Sequence, residues 1–349
     1  MRFLNKLNNV SSIVVLGQDL YAFDNNSNLM KYEDFILKWE VPINTQHFIL
    51  KFNSKVILSY WQFQRIVFFD SESGKTLNEF NIPFKPLKVV DSKIYGVCTR
   101  VNDLGERHFN ISTLSEFGEL QTQFETLDFC VIKVLHGIFL LQKGWGEFSV
   151  FSEKENKQIW YINLNQLFET ENVRYYGDII EYQDKLFFSL YDDSKSGIYA
   201  VDANTGKMVN YTNEIGGSMK LENELIYILN DNEITILDPN TFEIKKIDYS
   251  GILQAENLEI GGGLPNYQGL EIKNNLLYFT SLNNSEKDNS REVAVGIIDM
   301  KQHKLLEVIR FPSKLRSYNI NEIKVHENQL FVLTNDNNLH IFEDLNIDQ

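Results

Sequence analysis

Gln183-Asp184-Lys185-Leu186-Phe187 opens a stretch that runs on through Gly197-Ile198-Tyr199-Ala200-Val201-Asp202, the turn Ala203-Asn204-Thr205-Gly206-Lys207, and Met208-Val209-Asn210-Tyr211. Its pattern is a polar turn, a strand led by Leu or Ile that carries an aromatic, a second strand, a second polar turn and a further strand. Asn, Asp and Gly tolerate the positive φ of tight hairpins, so both turns read as hairpin connections. The opening phrase recurs as Gln18-Asp19-Leu20-Tyr21, Asp91-Ser92-Lys93-Ile94-Tyr95, Glu222-Asn223-Glu224-Leu225-Ile226-Tyr227, Lys273-Asn274-Asn275-Leu276-Leu277-Tyr278 and Glu327-Asn328-Gln329-Leu330-Phe331. Looser copies stand at Phe52-Asn53-Ser54-Lys55-Val56 and Leu135-His136-Gly137-Ile138-Phe139. The leading strands are spaced about 44 residues apart on average, the period of a four-stranded propeller blade.

A second unit repeats the downstream half: Ile66-Val67-Phe68-Phe69-Asp70, the turn Ser71-Glu72-Ser73-Gly74-Lys75, then Thr76-Leu77-Asn78-Glu79-Phe80. Together with Ile198-Tyr199-Ala200-Val201-Asp202-Ala203-Asn204-Thr205-Gly206-Lys207, this resembles the repeat of bacterial quinoprotein-like (PQQ-like) propellers, with a WD40-like four-stranded rhythm. The resemblance implies a scaffold and no quinone cofactor. Repeats of that family end in a Trp docked on the next blade; here Tyr211 and Phe80 stand near that place, and Trp39 and Trp160 are the tryptophans close to it.

The expected fold is all-β: a single domain over 1–349, a β-propeller of four-stranded antiparallel blades. The count is eight, or seven if a looser copy is not a separate blade. The last unit supplies three strands, Ile320–His326, Gln329–Thr334 and Leu339–Glu343. Arg2–Leu7 precedes the first complete unit and is expected to pair as its fourth strand, removing an exposed sheet edge.

With 33 Lys and Arg against 48 Asp and Glu, the formal charge is −15. Such a surface repels nucleic-acid phosphates and anionic headgroups and favours a basic protein or a cation. Two cysteines, Cys98 and Cys130, are too few for a disulfide framework. The first residues carry no long apolar run and no stretch approaches a membrane span, so a cytoplasmic monomer is expected.

Strands within a blade are called a to d from the inside outward. The b–c and d–a connections share one face of a propeller, and on that face the loops vary. Long b–c loops are expected at Thr99–Arg107, Tyr191–Ser196 and Ser281–Arg291, and long d–a connections at Asn163–Tyr176, Ser250–Gln268 and Pro312–Asn319. Variable loops on a rigid scaffold are where binding concentrates, which points to blades 4 to 8. Trp61 and Trp145 in b–c turns, with Arg174, Tyr175, Tyr176, Tyr191, Tyr267, Arg291, Arg316 and Tyr318, fall on this face as candidate partner-binding residues, because Trp, Tyr and Arg dominate interface hot spots. Each aromatic has the alternative of folding back on its own blade. Leu164, Leu167 and Phe168 have i, i+3, i+4 spacing and predict a short amphipathic helix capping this face.

Catalytic motifs are scarce. Ser73-Gly74-Lys75-Thr76 has Phe69 where a phosphate-binding loop requires glycine and lies in a hairpin. Gly261-Gly262-Gly263 lacks a strand–helix context. His136 and His326 share one turn position in two repeats, and His47, His108, His303 and His340 have no second ligand at metal spacing. No cofactor, metal site or catalytic residue is assigned. These observations favour a non-enzymatic protein-binding propeller, of an acidic inhibitor or immunity type, over a propeller hydrolase or lyase with carboxylates and His47 at the channel mouth.

Overall fold

The computed structural model describes residues 1–343 other than 17–18, 34–35, 44–47, 61–63, 91, 102–106, 127–129, 135–137, 144–145, 177–178, 231, 261–269, 285–290 and 314–317. Blade 1 comprises β2 (Val10–Leu16), β3 (Asp19–Asp24), β4 (Asn28–Glu33) and β5 (Ile36–Pro42), with β1 (Arg2–Asn8) preceding it. Blade 2 is β6 (Phe48–Phe52), β7 (Lys55–Tyr60), β8 (Arg65–Asp70) and β9 (Thr76–Phe80). Blade 3 is β10 (Phe84–Val90), β11 (Lys93–Val101), β12 (Arg107–Leu114) and β13 (Leu120–Thr126). Blade 4 is β14 (Cys130–Val134), β15 (Ile138–Lys143), β16 (Glu147–Ser152) and β17 (Lys157–Asn163), followed by helix α1 (Leu164–Phe168). Blade 5 is β18 (Arg174–Tyr175), β19 (Ile180–Tyr182), β20 (Lys185–Tyr191), β21 (Ser196–Asp202) and β22 (Met208–Thr212). Blade 6 is β23 (Ser218–Glu222), β24 (Leu225–Asn230), β25 (Glu233–Leu237) and β26 (Ile244–Asp248), followed by helix α2 (Ser250–Ala255). Blade 7 is β27 (Leu270–Lys273), β28 (Leu276–Asn284), β29 (Arg291–Asp299) and β30 (Lys304–Ser313), and β31 (Ile320–His326), β32 (Gln329–Thr334) and β33 (Asn338–Glu343) belong to blade 8.

The eight antiparallel sheets match the eight repeats, and β1 completes the last sheet in the order β1-β33-β32-β31. Arg2 pairs with Glu343 and Asn8 with Asn338, so the first strand becomes the outermost strand of the final blade. The eight-blade count and the terminal closure therefore hold. Blade 5 departs from the simple repeat, because its inner strand is split into β18 and β19, both paired to β20.

The described c–d turns follow one chemistry. A short polar side chain at the end of strand c accepts backbone N–H groups two to four residues ahead. Asp202 Oδ1 takes Asn204 N at 3.1 Å and Thr205 N at 2.7 Å, and Asp238, Asp299 and Ser115 act alike. This Asx or Ser/Thr turn lets the chain reverse without help from a neighbouring element. Near its end a residue adopts a left-handed conformation, and that residue is Gly74 (φ 67°) in blade 2 and Gly206 (φ 68°) in blade 5.

Glycine is required at these two places by the next layer of structure. Trp39 of β5 and Trp160 of β17 lie over them: a Cβ on Gly74 or Gly206 would sit 2.6 Å from the Cδ2 of the facing indole. Each indole N–H also donates across the blade seam, from Trp39 to Ser71 O at 3.0 Å and from Trp160 to Ala203 O at 2.8 Å. The family-like Trp docking thus occurs at the blade 1–2 and blade 4–5 seams. A bulge between strands c and d sets which residue occupies the docking position: Trp39, Trp160, Asn78, Asn210 and Glu307 are equivalent in register. Asn78 makes the corresponding bond, to Glu116 O at 3.0 Å. Glu307 instead pairs with the amino group of Met1, where β1 takes the place of a c–d turn. Phe80 does pack over the turn of the next blade, at Gly118, whereas Tyr211 stays on its own blade, stacked on Tyr199 at 5.5 Å.

Among the described residues the apolar core is divided into eight clusters, one at each seam between adjacent blades. The seam is where the faces of two sheets meet, and each blade has a neighbour on both faces, so consecutive side chains of the middle strands β20 and β21 are buried while the outer strand β22 is not. Inner-strand lysines add polar ties across the seams: Lys88 Nζ donates to Val134 O at 3.1 Å, Lys133 reaches Ile179 O, and Lys220 holds Glu271 at 2.8 Å.

Candidate functional site

The rim of blades 4 and 5 on the loop face gathers the best-defined group of candidate residues. The predicted amphipathic helix is α1. Asn163 caps it, its Oδ1 accepting from Asn165 N at 2.9 Å, and Glu169 ends it in a left-handed conformation. Leu164 and Phe168 are buried in the blade 4–5 core, with Leu167 packed beside them. Asn165 then organises the chain beyond the helix, its Oδ1 accepting from Val173 N at 3.0 Å. Asn163, Asn165, Gln166, Glu169, Thr170 and Glu171 line an open depression of about 420 Å³ beside the helix.

Arg174, Tyr175, Tyr176 and Tyr191 are brought together because β18 pairs with the loop-face end of β20, Arg174 opposite Tyr191. Tyr176 N donates to Ser189 O at 2.8 Å and the Tyr176 and Tyr191 rings stack at 4.0 Å, both half-buried. Burial raises the Tyr176 phenol pKa, so this ring presents a neutral hydroxyl near neutral pH. Tyr175 turns inward instead. It packs edge-on against Phe148 at 5.6 Å and donates to Gln142 Oε1 at 3.0 Å, so it serves the scaffold. Arg174 is exposed.

The adjoining b–c loop is held by Asp192, whose carboxylate accepts from Ser194 N at 2.7 Å, Ser194 Oγ at 2.8 Å and Lys195 N at 2.8 Å. These bonds, the backbone N–H of Ser194 first among them, hold its pKa down to about 2. With Glu169, Glu171 and Asp193 exposed close by in the chain, the aromatic pair and Arg174 sit in an acidic surround. The sequence reading named the aromatics and Arg174 but passed over these carboxylates, because isolated acids in loops carry no linear motif.

The other candidates separate. Tyr318, expected on the rim, is 9% exposed and belongs to the blade 7–8 core with Val293, Phe311 and Ile320. Trp61, Trp145, Tyr267 and Arg316 lie outside the described residues, as do His47, His136 and Gly261-Gly262-Gly263. Arg291 begins β29, and its side chain is likewise outside them. Helix α2, within the long d–a connection after blade 6, was not foreseen; it buries Leu253. Among the described residues no group of three or more His, Cys, Asp or Glu is placed to hold a metal ion. No helix among them is long and apolar enough to cross a membrane.

No protein-family model and no curated protein matches this sequence. Solved structures do match in fold. BamB from Moraxella catarrhalis is similar over 99% of this chain and 98% of its own, at 10% identity and a TM-score of 0.60. Sqt1 from Saccharomyces cerevisiae is similar over 99% of both chains, at 8% identity and 0.61. The computationally designed Ika8 protein covers 98% of this chain and 100% of its own, at 9% identity and 0.62. At such identities the likeness shows the fold alone: the class is an eight-bladed β-propeller.

Proposed function

We propose that this chain is a non-enzymatic propeller that binds a basic protein partner on its loop-rich face, as an acidic inhibitor or immunity-type protein. The observation that carries this reading is the blade 4–5 rim, where the stacked Tyr176–Tyr191 pair and exposed Arg174 stand among Glu169, Glu171, Asp192 and Asp193. Rigid aromatics supply contact area at low entropic cost, and surrounding carboxylates steer a cationic surface toward them. The net charge of −15 acts in the same direction at longer range. The scaffold likeness to BamB and Sqt1 is compatible with a role in protein association.

The test begins with affinity capture from the native cell, identification of the bound protein and calorimetry on the purified pair. Tight binding that weakens steeply with salt, and that falls about tenfold or more in a Tyr176→Ala/Tyr191→Ala variant, supports the reading. A partner whose affinity ignores both salt and these residues removes it.

A further inference from the structure

The outer strand of every blade leaves one backbone edge unpaired, and proteins normally guard such edges with charge. Here the other seven outer strands each carry at least one charged residue: β1 has Arg2 and Lys6, β5 Lys38 and Glu40, β9 Glu79, β13 Glu125, β17 Lys157, β26 Lys245 and Lys246, and β30 Arg310. Blade 5 is the exception. Its outer strand β22, Met208-Val209-Asn210-Tyr211-Thr212, has no charge and pairs with β21 alone. Met208, Val209, Asn210 and Tyr211 are all exposed, the three apolar side chains at 47%, 51% and 50%. Burial elsewhere follows the docking position: Trp160 in β17 is buried under the next blade, whereas Asn210 is exposed and its Oδ1 takes the N–H of Tyr211 at 2.9 Å.

We infer that β22 is a seat for strand addition by a protein partner: an extended, uncharged, β-branched segment with a basic N-terminal flank, laid antiparallel along the edge. The polarity of the partner follows from charge. β22 runs toward the loop face, and that end is acidic. Glu214 follows the strand two residues on and is exposed, and Tyr199, whose ring stacks on Tyr211, has its pKa raised by burial first, then by Tyr211 and by the nearby Glu169 carboxylate. The nearby cation, Lys195, is committed over the Phe168 ring at 4.4 Å. At the opposite end Lys207 precedes the strand. An antiparallel segment therefore meets carboxylates at its N-terminal flank and an ammonium at its C-terminal one. Backbone pairing supplies affinity, and Val209 and Tyr211 supply the side-chain contacts that favour β-branched residues. This edge adjoins the rim proposed above only through Glu169, and its test uses a synthetic peptide and does not require that partner.

The probe is a fluorescein-labelled synthetic peptide, Lys-Lys-Val-Thr-Val-Thr-Val, with a blocked C-terminus, followed by fluorescence anisotropy at low salt. Binding is expected, with added hydrogen-exchange protection of residues 208–212. Val209→Lys, or Met208→Lys if the first variant melts early, is expected to weaken binding about tenfold, because it restores the missing edge charge. Leu77→Lys on the edge of blade 2 is expected to leave binding unchanged, and a Glu-Glu-flanked peptide to bind several-fold more weakly. Equal binding to the wild type and to a folded Val209→Lys variant overturns the inference, as does equal binding of both peptides. So does sedimentation of the unliganded chain as a dimer that Val209→Lys dissociates, since the occupant is then a second copy.

Discussion

Trp160 of blade 4 donates its indole N–H to Ala203 O of blade 5 at 2.8 Å while its ring covers Gly206. One side chain thus satisfies a turn carbonyl, fills a seam and dictates the residue that closes the neighbouring turn.

Trp160→Ala is expected to cost about 3–5 kcal/mol, from lost burial and the cavity left behind. Gly206→Ala strains a left-handed position and drives a Cβ into the indole, for a further loss of about 1–3 kcal/mol. Because both act on one contact, the double variant is expected to lose less than the sum. Urea denaturation of the cycle measures this, and simple additivity would show that ring and turn are independent.

Lys31 is buried with Asp19 at 3.1 Å and Glu72 at 2.9 Å, and Asp19 also holds Lys51 at 2.5 Å. Asp19→Ala leaves the buried ammonium short of a counter-charge and is expected to cost about 2–4 kcal/mol. Lys31→Met, which removes the buried charge and keeps the stem's volume, is expected to cost clearly less. Thermal melts of both variants rank them.

Removing residues 1–8 deletes β1 and leaves β33 as a bare edge. The expected outcome is a lower melting temperature and concentration-dependent association, read by light scattering, because an unpaired strand recruits another chain. A truncated chain that stays monomeric with an unchanged melt would contradict the closure.

Two groups predict opposite pH effects. Burial lowers the His340 pKa below the ordinary histidine value of 6.5, so the folded state binds this proton less readily than the unfolded one. Its contribution to stability is present above that value and declines as pH falls through 6.5 toward the folded pKa. His340→Phe is expected to flatten stability between pH 7 and 5 by about the part due to this one group. Glu322 is the reverse: burial raises it above 4.5, offset in part by Lys324, so its contribution is full below that value and lost as pH rises through the folded pKa. Glu322→Gln is therefore expected to stabilise at neutral pH and to lose that advantage in acid. Denaturation midpoints across pH check both signs.

The repeat was legible because its information is local. Asp202, Thr205 and Gly206 specify a turn by side-chain bonding and φ alone, and the short apolar run Ile198-Tyr199-Ala200-Val201 between turn residues marks a strand buried on both faces. Leu164, Leu167 and Phe168 likewise announce α1 by spacing. The docking position was misread at Tyr211 because a bulge between Ala200 and Val201 shifts the register of β22 by one residue, and one residue turns a side chain to the other face. Tyr318 was misplaced because burial of an aromatic between blades depends on what it meets there, here Val293, Phe311 and Ile320.

The amino-acid sequence by itself determined the eight units, their turns and the strand that closes them, since these follow from backbone preference and period. Only the tertiary structure decided which residues share the blade 4–5 rim, which indoles lock seams, and that the outer edge of blade 5 lies bare. Those are relations between blades, set by packing among residues tens of positions apart, and no local pattern encodes them.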